Sequence, residues 1–339
     1  MFILHSIFIG FYCNLPAFCQ AKDPSSPANP IRDRVDIRDS IARSIPYLEK
    51  DGQAWMIGEA EYQDRACVSC HQVPSGAWSL AVSYRAIDWP EQNPGTSLLG
   101  DAIEFVSDPK VGRPASWAQL AIAAQSYSES DDGAKSRVAM EKFLPEILKA
   151  QQEDGRWRAQ GQFPSQRRSI DESDAVITLW MQQALQGESS KEVQAAIKKA
   201  QDYVAKTKGD SIEFLAWQLL LEEDSSKKQE LATRVMAAQS DNGSFGWSKD
   251  GKPTIYATGV ALYALSQSAY KLEDAKDVSA SQNKAIAYLL REQGPEGYWK
   301  DVSENITKRS DESHEYIYQY WSSAWATLGL ASAYSTMDR

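Results

Sequence analysis

Cysteine and histidine are scarce in this chain, at 4 and 3 among 339 residues. No cysteine follows position 70, so a structural zinc site, which needs a second ligand pair, is excluded. Positive charge is in deficit: 36 Lys and Arg stand against 46 Asp and Glu, a net charge of -10. That balance argues against nucleic acid and against an anionic membrane surface as partner. Residues 1–21 lack Lys, Arg, Asp and Glu altogether. Their apolar stretch is much shorter than the about 20 residues that span a bilayer, and Pro16 breaks it, so no integral membrane association is expected of the mature chain. Period-two alternation is missing over any useful length, so no sheet is expected.

The cysteines that do occur are patterned. Cys67-Val-Ser-Cys70-His71 has the attachment spacing of a c-type haem, in which the thiols add to the vinyl groups and His71 binds iron as proximal ligand. A redox dithiol would belong on a βαβ pattern, which the chain lacks. A plain disulfide would close too short a loop to gain much chain entropy. Residues 1–21, with an apolar run from Phe2 to Phe11 and a small residue at Ala21, read as a secretory signal. Cys13 and Cys19 leave with it, so the mature chain keeps only the motif cysteines, which suits export to the periplasm. From Lys22 the stretch KDPSSPANP opens a flexible linker over 22–37.

Repeats organise the remainder, 38–339. Gln152, Gly155 and Trp157, then Gln239, Gly243 and Trp247, then Gln293, Gly297 and Trp299 share one order, with a weaker echo at Gly52 and Trp55. Each closes a stretch of helical periodicity, and the Gly is the expected helix stop. Charged helices at about 38–49, 97–107, 136–151, 192–206, 226–239 and 281–292 alternate with apolar helices beginning near Trp78, Trp117, Ala175, Phe214, Thr258 and Ser323. A helix apolar on most of its circumference is buried, and one with a charged face lies outside it. Six such hairpins predict an all-α fold, an (α/α)6 toroid with an inner and an outer ring. The apolar last helix favours closure onto the first hairpin over an open solenoid.

These repeats and hairpins resemble the terpenoid cyclase and prenyltransferase α/α-toroid superfamily, in particular squalene-hopene cyclase-like repeats. The resemblance implies that Gln152, Gln239 and Gln293 tie adjacent turns together while Trp157, Trp247 and Trp299 pack beneath. Class II cyclases of that kind protonate an alkene or epoxide with an Asp-x-Asp-Asp motif ahead of an inner helix. The corresponding place here, Ile170-Asp171-Glu172-Ser173-Asp174-Ala175, has carboxylates but lacks the adjacent Asp pair, and Asp171, Ser173 or Asp174 is expected to cap the helix. Those cyclases also use two helical domains, whereas this chain has residues for one. The Asp, Cys and His zinc set of prenyltransferases is absent. Other toroid proteins of similar size cleave polysaccharides with paired acids or an Arg/Lys base; Glu213, Asp171 and Glu315 are acidic candidates, and none stands out.

The motif loop and the loop Gly294–Tyr320 fall at the same end of a closed ring. His314 is therefore expected as the distal iron ligand, with Met56 or an empty sixth position as alternatives. Trp55, Tyr62, Trp78, Tyr84, Tyr316, Tyr318, Tyr320 and Trp321 would wall the haem, and Arg65 and Arg85 would meet its propionates. The expectation is an exported monohaem c-type cytochrome-like protein with haem c as cofactor, serving electron transfer or haem-based redox or ligand sensing. Its acidic surface would meet a basic redox partner protein. The alternatives are a terpenoid cyclase-like or glycan-active enzyme using the toroid cavity, with haem as accessory, and a non-catalytic interaction module.

Overall fold

The protein is described by a computed structural model covering residues 30–57, 73–89, 94–106, 114–126, 133–159, 168–249, 251–273, 275–301 and 312–337. Twelve α-helices occur among these residues. They are α1 (Pro30–Ile57), α2 (Val73–Ile87), α3 (Pro94–Val106), α4 (Pro114–Ser126), α5 (Gly133–Ala150) and α6 (Ile170–Ala184). The second half continues with α7 (Lys191–Val204), α8 (Ile212–Leu221), α9 (Ser225–Met236), α10 (Ile255–Ser268), α11 (Ala275–Glu292) and α12 (Glu312–Thr336). Helix α1 thus starts inside the stretch read as linker. A two-stranded ladder, β1 (Phe245–Gly246) with β2 (Pro253–Thr254), departs from the expectation of no sheet.

Burial sorts the helices into two sets. Helix α4 is buried at every residue from Pro114 to Ala124, whereas α7 buries only the stripe Val193, Ala196, Ala200 and Val204. The first must be enclosed and the second must lie on the outside. Even-numbered helices pack in succession from α2 to α12, and α12 returns to α2; α1 packs on both α11 and α12. The expected (α/α)6 toroid is therefore observed, and its inner ring is closed.

Local chemistry sets the helix ends. Ser169, Ser190, Ser211, Asp224 and Thr254 each accept a hydrogen bond from the backbone N–H three residues on, satisfying a donor that the first helical turn leaves open. Among the stops, Gly155, Gly243 and Gly297 adopt φ of +95°, +93° and +89°. A Cβ there would lie 2.2, 2.2 and 2.0 Å from the carbonyl oxygens of Lys199, Lys284 and Arg43 on the next outer helix. Glycine is needed at these positions twice over, for backbone conformation and for close approach. Gly52 is not such a stop, because α1 runs through it to Ile57.

The repeat register differs from the sequence reading at two positions. Gln151, not Gln152, makes the interhelix tie: its Nε2 donates to Gly155 O at 2.9 Å and to Ala196 O of α7 at 2.8 Å. Gln239 joins Gly243 O and Ser281 O of α11 in the same way, and Gln293 joins Gly297 O and Ser40 O of α1. Beneath the glycines sit Trp157, Phe245 and Trp299, all 0 % exposed. Their backbone N–H groups donate to Thr178, Thr258 and Ser323 hydroxyls, each at 3.0 Å. Phe245 therefore takes the place expected of Trp247, and Trp247 instead stacks on Tyr256 with ring centroids 4.8 Å apart.

Candidate active site at the mouth of the inner ring

Bonds between the starts of the even-numbered helices show that they meet at one end. Glu172 Oε1, in the first turn of α6, accepts from Ser211 N before α8 at 2.9 Å. Asp301 Oδ2 accepts from Tyr256 N at the start of α10 and from Ser322 Oγ of α12, at 3.0 and 2.7 Å. Carboxylates are favoured here because helix N-termini carry partial positive charge and unpaired N–H groups. Asp174 Oδ1 accepts from Ala159 N at 2.7 Å and Oδ2 from Arg156 at 3.2 Å. Burial raises the Asp174 pKa, and the bond from Ala159 and the Arg156 charge oppose that rise. These three carboxylates hold the rim together.

Glu213 differs from them. It stands in the first turn of α8 with its side chain 0 % exposed, and Oε2 accepts from Arg168 Nη1 at 2.6 Å. The Arg168 guanidinium is 2 % exposed and also donates to Ser173 Oγ at 3.2 Å. Oε1 of Glu213 has no hydrogen-bond partner among the described residues, and neither has the Tyr256 hydroxyl. Tyr256 nonetheless feels this carboxylate: burial first, then the Glu213 charge, raises its pKa well above the ordinary value. The two groups are coupled through this charge and through a side-chain hydrogen-bond contribution from Glu213, although neither makes a hydrogen bond of ordinary geometry among the described residues.

Aromatic rings enclose this pair. Tyr256 lies 4.1 Å from Trp321 and 5.9 Å from Trp325, centroid to centroid. Below it Trp78, Trp217 and Trp325 touch one another at 5.3 to 6.4 Å, and Trp180 joins through Trp217 at 5.8 Å. The centre of the toroid is thus filled by indoles.

Several residues singled out in the sequence sit elsewhere. Ser169, rather than Asp171, Ser173 or Asp174, caps α6. Asp171 is 76 % exposed and pairs with Arg156. Cys67, Cys70, His71, Tyr62 and Arg65 lie outside the described residues. So do the side chains of His314 and Glu315, although His314 itself falls in the first turn of α12 rather than in a loop. Met56 packs against the core. Of the aromatics expected to wall a haem, Trp78 and Trp321 belong to the central cluster, Tyr84 bonds Glu49, and Tyr320 donates to Leu48 O at 3.0 Å. Sequence reasoning named Glu213 but missed Arg168 and Tyr256. The signal was a single charge inside the apolar run Ile212-Glu213-Phe214-Leu215, which requires a buried partner.

No protein-family model and no curated protein sequence matches the chain. Solved structures do. A type II terpene cyclase from Scytonema superposes with a TM-score of 0.58 at 14 % identity, covering 91 % of this chain and 99 % of that one. An unsaturated glucuronyl hydrolase specific for heparin gives 0.63 at 12 %, over 88 % of this chain and 97 % of that one. The unsaturated glucuronyl hydrolase of Bacillus sp. GL1 gives 0.59 at 12 %, over 89 % and 95 %. The likeness defines the class, an α/α toroid of the kind these enzymes share.

Two expectations are corrected by these matches. The cytochrome reading, with electron transfer or haem sensing as its function, does not stand: the toroids that match along nearly their whole length are enzymes, and among the described aromatics assigned to a haem wall, Trp78, Tyr84, Tyr320 and Trp321 are buried in the core. The objection that cyclases need two helical domains also falls, since one toroid covers 99 % of a type II terpene cyclase.

Proposed function

We propose that this protein is an enzyme working at the mouth of the inner ring, terpenoid cyclase-like in taking an apolar, unsaturated substrate. The observation that carries this reading is Glu213, a fully buried carboxylate bound by Arg168 through one oxygen and coupled to the Tyr256 hydroxyl, under aromatic walls. Glu213, held through one oxygen by the Arg168 guanidinium, is the group we assign to give a proton to the substrate and to take one back, as an isomerisation requires. Tyr256, Trp247 and Trp321 form an aromatic cluster beside it, and aromatic rings stabilise developing positive charge.

The test uses geranylgeranyl dihydroxybenzoate, the substrate bound in one Scytonema cyclase structure, with product read by chromatography and mass. We expect an isomeric product, and a loss of at least about 100-fold in rate for both Glu213→Gln and Tyr256→Phe. Removing one partner of a buried ion pair is destabilising, so rates are normalised to folded protein by circular dichroism. Turnover of heparin fragments with none of the prenyl compound would replace this reading by a glycan-active one.

Haem c on Cys67 and Cys70, with His71 as ligand, and export through residues 1–21 form a separate proposal, in which haem is accessory to this chemistry. Expression of the full precursor in a host with exported cytochrome c maturation should yield a c-type pyridine haemochrome spectrum at about one haem per chain. Apoprotein from a competent host would dismiss it.

A further inference from the structure

The opposite end of the inner ring carries a second feature that acid–base chemistry at the mouth does not use. A cavity of about 260 Å3 opens where α6, α8 and α10 end, lined among others by Gln183, Gln186, Lys228, Tyr263, Gln267 and Tyr270. The indole cluster separates it from Glu213, since Tyr263 packs on Trp78 and Trp325 at 5.3 and 6.0 Å. Its volume is room for on the order of eight waters, the bulk of one six-carbon sugar.

Lys228 is the group that asks for a ligand. It is 3 % exposed, and its Nζ donates to Leu219 O at 2.9 Å. An ammonium has three donors, and the other two find no acceptor among the described residues. Burial together with Lys271 lowers its pKa, and the Glu222 and Glu223 charges oppose that fall without bonding its remaining donors. The amides beside it are also half used: Gln183 Nε2 donates to Gln186 Oε1 at 3.0 Å and Gln267 Nε2 to Ser332 Oγ at 2.7 Å, leaving the carbonyl oxygens of Gln183 and Gln267 as acceptors.

The charges around this cavity cancel. Glu222 and Glu223 line it opposite Lys228 and Lys271, so neither an anion nor a cation is preferred. Donors and acceptors together, at fixed spacing, match a ligand carrying several hydroxyl groups. Tyr270, 69 % exposed with the Lys271 ammonium 5.2 Å from its ring centroid, offers an aromatic face against which the C–H face of a sugar ring can stack. We infer that this cavity is a binding site for a neutral monosaccharide unit, distinct from the mouth.

Saturation-transfer NMR on the full chain, with glucose, galactose, mannose and glucuronate as separate probes, tests the inference. Transfer to at least one neutral hexose is expected, with Kd weakened about tenfold by Lys228→Met, the worth of one hydrogen bond to a charged group. Because Lys228 also binds the end of α8, Tyr270→Ala provides a second variant at an exposed ring and should weaken the same signal. Glu213→Gln should leave it unchanged, which separates this site from the mouth. Absence of transfer from every neutral hexose, transfer indifferent to both Lys228→Met and Tyr270→Ala, or preference for glucuronate would each overturn the assignment.

Discussion

Asp174 shows how one side chain can be pulled two ways. Burial raises its pKa more strongly than the Ala159 N–H and Arg156 lower it, so the folded protein holds this proton more tightly than an unfolded chain with a carboxyl near 3.9, about the usual value. Its contribution to stability is complete below the unfolded pKa and is lost as pH rises through the raised one. Urea unfolding from about pH 3 to 6 should show the wild type losing stability with rising pH relative to Asp174→Asn. Parallel curves would mean that Asp174 titrates alike in both states. Glu213 could be singled out in the sequence because a charge in an apolar run stands out. Its partner Arg168 lies 45 residues away, and nothing local connects the two.

Helix ends are decided at the scale of the element, by backbone conformation and by what approaches it. Gly187 and Gly243 share that conformation, with φ of +91° and +93°, but a Cβ on Gly187 would meet nothing within 4 Å. Gly187→Ala should therefore cost about 1 kcal/mol from backbone strain alone. Gly243→Ala should cost at least about 3 kcal/mol, because the Lys284 carbonyl must also move. Equal costs in urea unfolding would show that the approach of α11 is not limiting. The hairpins themselves were legible because burial on one face or on all faces writes its period into each helix. The register within the repeats lay in spacing rather than in residue type: Gln151, Gln239 and Gln293 each precede their glycine by four residues, and Gln152 does not. Trp247 matched the repeat by residue type, while Phe245 matched it by distance from the glycine.

Closure belongs to the whole molecule. Gln293 joins the last outer helix to the first: Ser40 Oγ and Arg43 Nη2 donate to its Oε1 at 2.7 and 2.5 Å, and its Nε2 donates to Ser40 O at 3.0 Å. Nearby Thr327 Oγ1 of α12 donates to Ser44 Oγ at 2.9 Å, and Arg34 lies over the Tyr334 ring at 4.3 Å. In a closed ring Gln293→Ala should cost as much as Gln239→Ala, about 1–3 kcal/mol for buried bonds lost. In an open array Gln293→Ala would be nearly silent, and thermal unfolding of the two variants distinguishes these cases.

The alternation of charged and apolar helices, their capping hydroxyls and their glycine stops are local features, so the sequence by itself determined the class of fold and most element positions. It also singled out Cys67, Cys70 and His71, whose spacing is read without any structure. Only the tertiary arrangement decided which side chains meet. It packed Trp78 and Trp321 into the ring, spent Glu172, Asp174 and Asp301 on the rim, and joined Glu213 to Arg168 and Tyr256. The physical reason is that a buried group's role depends on what meets it from other helices, and those meetings join residues far apart in the chain.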